Sequence, residues 1–294
     1  MGLTRRHFIQ YLLGLPLLPS LTLWPRESGA RLLPAGKTPL PPSRKMGPEN
    51  SIGQFFRGEE LVYEAGFWMI RRAALGRLSF KAMDKKGYYT ATLQGETLGV
   101  LGWVSRYRVD TYRSVMEEID GGKALRAVSF EEDVKVGDKI RKWVHLFDYQ
   151  RRTWTSKRLR RNGLWAVQEK EIPPGRVYDD FVTAFYNFRY GVYGPLERGK
   201  TYNVATFPRD GMSSYEVRVA LKEEEEKERR SGKGITGKDF LLTLNLDPET
   251  THSREGLITG WLSKDLTPVE GAIKDVTLFG DVTGTLVKKT LRSS

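Results

Sequence analysis

Two adjacent carboxylates, Asp179 and Asp180, stand ahead of Phe181-Val182-Thr183-Ala184-Phe185. Paired acids can work as general acid and base. Neighbouring side chains at a helix start diverge, however, and the free amides there favour an acidic acceptor, so capping accounts for both more simply. Gly232-Lys233-Gly234-Ile235-Thr236-Gly237 fits a dinucleotide fingerprint, which works only between a parallel strand and a helix N-terminus. Here it follows a Glu/Arg run and leads into the β-like Phe240-Leu241-Leu242-Thr243-Leu244, so it reads as a loop. His145 and His252 are the only histidines beyond His7. No His-x-x-x-His or carboxylate-rich calcium pattern accompanies them, and no metal site is expected. The chain has no Cys, which excludes disulfides, thiolate zinc, iron–sulfur clusters, a cysteine nucleophile and a lipid-modified N-terminal cysteine. Gly-x-Ser-x-Gly, P-loop and His-Glu-x-x-His motifs are absent too. No catalytic residue and no cofactor is therefore assigned.

Two charged stretches remain. Arg151, Arg152, Lys157, Arg158, Arg160 and Arg161 cluster around Trp154 and Trp165. In the cytoplasm such a mixture would suggest single-stranded nucleic acid. Outside it, anionic head groups fit better, with Trp at the interface. The plainer reading is an exposed hairpin kept soluble by its arginines. Lys222 to Lys233 holds five acids and five bases and reads as a solvated charged hairpin or short helix, with a partner-docking loop as the alternative.

The elements that would carry these residues are mainly β. In Glu60–Trp68, Leu61, Tyr63, Ala65 and Phe67 alternate onto one face. Further strands are predicted at Leu75–Met83, Tyr88–Leu93, Ala127–Val134, Arg141–Arg152, Thr153–Leu159, Leu164–Lys170, Tyr202–Phe207, Tyr215–Lys222, Phe240–Leu246, Gly256–Leu262, Val269–Phe279 and Val282–Thr290. Asp84-Lys85-Lys86-Gly87 and Asn162-Gly163 mark tight turns. Leu98 to Ile119 fits a helix–strand pair or two strands. Phe181, Phe185 and Phe188 fall at helical spacing in Asp179–Arg189, ended by Gly191. The fold expected is a strongly curved antiparallel sheet, a barrel or half-barrel, with one or two short helices plugging or covering it.

The N-terminus reads as an address. Arg5-Arg6-His7-Phe8 precedes an apolar run from Tyr11 to Trp24 that contains Pro16 and Pro19. It is short for a spanning helix. Its layout is that of an export signal, and Arg5, Arg6 and Phe8 suit the twin-arginine route. Small residues at Ser28-Gly29-Ala30 suit cleavage. Residues 31–50 carry five prolines and read as a linker, leaving 51–294 as a single β-barrel-like domain. The twin-arginine translocase is then a partner during export, and the mature chain is expected in the periplasm with no integral membrane span. Formal net charge is +12. Removing residues 1–30 takes away three Arg and one Glu and leaves about +10. An exported protein meets no chromosome, so this balance points away from nucleic acid and towards anionic envelope components.

Gly58-Glu59-Glu60-Leu61-Val62-Tyr63-Glu64, Val177-Tyr178-Asp179-Asp180 running into Phe181–Arg189, Glu197-Arg198-Gly199-Lys200, and the closing stretch from Gly256 through Trp261-Leu262-Ser263-Lys264-Asp265 to Pro268-Val269 resemble a family of exported bacterial proteins known as domain of unknown function 3108. The likeness spans residues 58–287. It implies an envelope location and a curved, barrel-like antiparallel sheet, and it supplies no catalytic residues. The charged stretch at 222–233 and the twin-arginine signal look like departures from the commoner members.

The function expected from all of this is a non-enzymatic envelope protein that binds a lipid or another apolar or anionic envelope ligand in a groove of the sheet. Tyr63, Phe67, Trp103, Phe185, Phe188 and Trp261 are its candidate lining, and the six basic residues between Arg151 and Arg161 its candidate contact with an anionic surface. The alternative is a structural or interaction protein of envelope assembly. A glycan or lipid hydrolase would need convergent carboxylates in a cleft, and the sequence offers no such pair.

Overall fold

The computed structural model describes residues 51–68, 70–209, 212–231, 237–245, 253–276 and 280–291. The export-signal residues Arg5, Arg6 and Phe8, the proline-rich stretch, His252 and most of the glycine-rich motif at 232–237 lie outside the described residues. Within them, fourteen strands make one antiparallel sheet. A first meander runs through β1 (Glu59–Phe67), β2 (Ile70–Ala82), β3 (Tyr88–Thr97), β4 (Val109–Ile119), β5 (Ala124–Val136), β6 (Lys139–Asp148), β7 (Thr153–Leu159) and β8 (Trp165–Glu171). A second runs through β9 (Thr201–Arg209), β10 (Met212–Val219), β11 (Phe240–Asn245), β12 (Leu257–Leu262), β13 (Pro268–Val276) and β14 (Gly280–Leu291). The pairing of β1 with β14 fuses the two, and β8 and β9 are left as the outer edges. The sheet is therefore open and does not close into a barrel.

Four short helices accompany the described strands: α1 (Ile52–Phe56), α2 (Gly99–Val104), α3 (Phe181–Tyr190) and α4 (Lys222–Ser231). Leu98 to Ile119 resolves as a helix followed by a strand. The stretch from Lys222 is helical and only partly solvated. Glu225 in its middle is fully buried, held by Arg198 at 3.1 Å and Arg229 at 3.5 Å.

α3 forms where the sequence places start and stop signals. Asp180 Oδ1 accepts from the amides of Val182 (2.8 Å) and Thr183 (3.0 Å). Gly191 ends the helix at φ 86, a left-handed conformation that costs glycine little. The helix packs against β3, β4, β5 and β9. Phe207 of β9 reaches the rings of Phe130 (6.1 Å), Phe147 (5.6 Å) and Trp154 (5.5 Å) on β5, β6 and β7. The sheet thus curls until strands far apart in its order face one another across α3.

In an antiparallel meander alternate turns fall at opposite ends. The β2–β3, β4–β5 and β6–β7 turns, α1 and the β8–α3–β9 connection lie at one end, the plugged end. The β1–β2, β3–β4, β5–β6, β7–β8 and β13–β14 turns lie at the other, the tip end. The main core, which includes Ile52, Phe56, Phe80, Met116, Leu125, Phe130 and Tyr186, belongs to the plugged end.

Candidate functional site

The face of α3 that packs deepest is not the phenylalanine stripe. Val182, Thr183, Tyr186, Asn187 and Arg189 are buried, whereas Phe181 is 40% exposed and Phe185 and Phe188 are half-buried. The reason is that most polar groups of this face find partners, the Tyr186 hydroxyl and Asp179 Oδ1 excepted. Asp180 Oδ2 accepts from Ser114 Oγ (2.6 Å) and Thr183 Oγ1 (2.8 Å). Asn187 pairs with the backbone of Leu125 in both directions, donating at 2.8 Å and accepting at 2.9 Å, which mimics a strand neighbour. Its amide also donates to Asp179 Oδ2, as does the Tyr193 hydroxyl. Arg189 forks onto Glu59 at 2.7 and 2.8 Å and donates to the carbonyl of Leu266, with the Phe56 ring 4.7 Å from its guanidinium carbon. A buried group without such partners would cost several kcal/mol.

Electrostatics in this plug follow from burial. Burial pushes the Asp179 carboxyl up to about 7, Asp180 adds to the rise, and the Asn187 and Tyr193 hydrogen bonds oppose it. Asp180 is raised for the same first reason, against the hydrogen bonds of Ser114 and Thr183. Burial works against the charge on Arg189, but Glu59 more than offsets it and the guanidinium stays firmly protonated. With Asp180 fully buried and Asp179 7% exposed, neither carboxylate meets solvent. They hold the helix and have no access to a substrate.

With its polar face turned to the sheet and α1, α3 presents its phenylalanines to the upper part of the concave face. Phe181 meets Tyr112 (5.1 Å) and Phe130 (5.4 Å) edge-on. Half-buried Tyr63, Leu93, Tyr112 and Leu286 ring the main core, as does Phe185, and Phe188 with Phe240 and Leu242 rings a second core. Tyr63 donates to the carbonyl of Pro268 (2.9 Å). Beyond these aromatics the sheet floor is nearly bare. Ala74, Ala65, Gly284, Gly271 and Gly260 stand opposite one another across β2, β1, β14, β13 and β12. A Cβ at Gly260, Gly271 or Gly284 would meet only ordinary contacts at 3.8–3.9 Å.

Of the candidate lining residues, the structure places Tyr63, Phe185 and Phe188 around this concave surface, with Phe67 buried farther along β1 towards the tips. It does not place Trp103 or Trp261 there. Trp103 is 65% exposed on α2, because Gly102 and not the Trp is turned inward. A Cβ on Gly102 would lie 2.9 Å from both the Thr97 carbonyl oxygen and the Tyr107 ring. Trp261 faces the opposite side of the sheet from Gly260. It packs with Ala220, Leu241 and Val269, and Arg229 of α4 lies 5.1 Å from its ring.

The six basic candidates also divide. Arg151 and Arg152 sit in the β6–β7 turn at the plugged end, paired with Asp148 and Glu171 respectively. Arg158, Arg160 and Arg161 sit at the tip end, with Lys157 on β7 between the two groups. Arg158 lies over the Trp143 ring at 5.6 Å.

His145 is structural. Buried on β6, it accepts from Trp154 Nε1 through Nδ1 (3.3 Å), turns Nε2 towards Glu132 Oε1 (3.8 Å), and lies 4.8 Å from the Phe207 ring. Among the described residues no group of three His, Asp or Glu is placed to hold a metal ion. Two polar concavities are visible. One lies between Arg151, Arg152 and Glu169–Glu171, and the other between Gln94, Arg113, Glu131, Asp133 and Lys142 on the outer face of the sheet. In the second, Lys142 sits 3.4 Å from Glu131, an arrangement of solvated ion pairs. No helix among the described residues is long and apolar enough to cross a membrane.

Sequence reasoning found the cap at Asp180 and missed the rest of the plug: Ser114, Thr183, Asn187, Tyr193 and the Glu59–Arg189 pair. The available signal was Thr183 and Asn187 one turn apart on a short helix otherwise rich in aromatics. No curated protein and no solved structure matches the chain. A family model does match, over residues 62–287, and by it the chain belongs to the family described as protein of unknown function (DUF3108).

Proposed function

We propose that this is an exported, non-catalytic protein of the bacterial envelope that holds an apolar ligand of acyl-chain type against the concave face of its sheet. The observation that carries this reading is the half-covered aromatic surface of α3. Phe181 is exposed and Phe185 and Phe188 are half-buried, and the sheet beyond the aromatics that ring them carries a row of alanine and glycine, a combination of uncovered apolar surface and free space that favours a ligand. The Arg-Arg-x-Phe leader and the basic balance support a periplasmic setting reached by the twin-arginine translocase. The buried positions of Asp179 and Asp180 weigh against hydrolysis.

Native mass spectrometry of gently purified full-length chain, followed by titration with a fluorescent fatty acid, tests the ligand. Co-purified lipid or saturable uptake is expected. Recovery of ligand-free protein that takes up no probe overturns the reading. A reporter fused to the chain and retained in the cytoplasm would overturn the location.

A further inference from the structure

We infer that the tip end of the sheet is a docking surface for an anionic phospholipid bilayer, with its aromatic residues entering the head-group layer and its arginines meeting the phosphates. This goes beyond the ligand on the concave face and does not depend on it.

The four consecutive hairpin tips of β1–β8 place exposed apolar side chains at this one end. Trp68 is 73% exposed in the β1–β2 turn, Trp103 65% on α2 and Leu164 64% in the β7–β8 turn, and Ile70, Val100, Tyr107, Ile140 and Trp165 are exposed beside them. Alternate strands lie about 10 Å apart, so neighbouring tips are within side-chain reach of one surface. The tips are also tied together. Gly137 of the β5–β6 turn donates to the carbonyl of Arg106 after α2 (2.9 Å), and Leu98 donates to that of Ala73 (2.7 Å). Trp68, Arg106 and Tyr107 are exposed and hold left-handed backbone at φ 49, 57 and 50, a conformation disfavoured for bulky residues.

Charge chooses the partner. Residues 67–72, 98–108, 136–142 and 158–165 contain ten basic residues and one acidic residue, Asp138. Among the described residues, Arg71, Arg141, Arg160 and Arg161 form no ion pair with a carboxylate within 4 Å. The turns at the plugged end are different. Residues 82–88, 119–124, 148–153 and 263–268 carry six basic and four acidic residues, and their only exposed large hydrophobic residue is Met83. Trp and Tyr with Arg is the composition that partitions into a head-group layer, where each basic residue adds a similar increment of attraction.

The lack of cysteine makes the test local. Single-cysteine variants V100C and L164C at the tips and K86C at the plugged end, in the full-length chain, are labelled with an environment-sensitive fluorophore. They are mixed with vesicles of phosphatidylglycerol and phosphatidylcholine, with pure phosphatidylcholine vesicles, and with polyglutamate. The expected result is a blue shift at Val100→Cys and Leu164→Cys with phosphatidylglycerol vesicles only, no shift at Lys86→Cys, and loss of the shift at about 0.5 M salt. Arg141→Glu, Arg160→Glu and Arg161→Glu together should weaken partitioning about a hundredfold with an unchanged circular dichroism spectrum. A silent tip label, an equal shift at Lys86→Cys, an equal response to neutral vesicles, or a response to polyglutamate alone would each overturn the proposal. Acyl-probe uptake reads the concave face separately, so failure of one does not mimic failure of the other. Attachment through the leader alone would leave the tip labels silent.

Discussion

The two ends of this sheet are built by opposite rules. At the plugged end polar groups are buried and most are matched: Asp180 with Ser114 and Thr183, Asn187 with the Leu125 backbone, Arg189 with Glu59. At the tip end apolar groups are exposed and the surrounding charge is unbalanced. Folding alone explains the first arrangement, because curling a sheet this wide around a short helix requires fixed contacts in its middle. It does not explain the second, since exposed Trp68 and Trp103 contribute little to burial. Stability is therefore concentrated at one end, which leaves the other free to be shaped by contact with a partner.

The largest effect expected from this contrast is at the Glu59–Arg189 pair. Arg189→Met leaves a carboxylate buried and alone, and should cost about 3–5 kcal/mol in urea unfolding. Replacing both partners with apolar residues of similar size should recover most of that loss. If Arg189→Met unfolds at the same urea concentration as the parent, α3 is not the element that holds the curl.

A comparable effect is expected from pH. The Asp179 carboxyl titrates at about 7 in the folded chain because burial raises it, and near 4 when unfolded. Its contribution is therefore fully present below about pH 4 and is lost as pH rises through 7, on the order of 4 kcal/mol over the whole interval. Asp179→Asn should flatten the unfolding free energy between those limits relative to the parent. Parallel pH profiles for the two proteins would show that the carboxyl is not desolvated as its surroundings imply.

Most of the sheet was legible in the sequence, and the reason is visible in β7. Thr153–Leu159 is bounded by turn residues on both sides, so its period-two pattern starts and stops where the structure does. β2 begins at Ile70 and not at Leu75, because Arg71 and Arg72 are exposed where the strand nears its tip and carry no alternation. The plug was legible only at its cap. Phe181, Phe185 and Phe188 have the spacing of a buried stripe, but a stripe does not tell which side of a helix the sheet will cover. That choice was made by Thr183, Asn187 and Arg189, whose partners Ser114, Leu125 and Glu59 lie 62 to 130 positions away in sequence, beyond any local pattern. Trp103 was misplaced for a related reason: hydrophobicity nominated it for the interior, and the close backbone approach at Gly102 turned it out.

A smaller effect sharpens the contrast in the middle of the sheet. Gly284→Val should leave stability unchanged or raise it by up to about 1 kcal/mol, since glycine is costly in a strand and a Cβ there has room. The same change puts side-chain volume on the concave face and should reduce fatty-acid uptake. Destabilisation would mean the floor is already closely covered, and unchanged uptake would move the ligand elsewhere.

The smallest effect is expected at the tips. Trp103→Ser and Leu164→Ser remove large side chains that are mostly exposed and should shift the unfolding free energy by no more than about 0.5 kcal/mol. Such a result is informative because of what it is set against: the same residues should account for much of the vesicle response. A side chain that matters for binding and not for folding has been placed by something other than the core. If Trp103→Ser instead destabilises the chain by several kcal/mol, α2 is part of the fold's support. The tip end would then differ from the plugged end only in how wet its packing is.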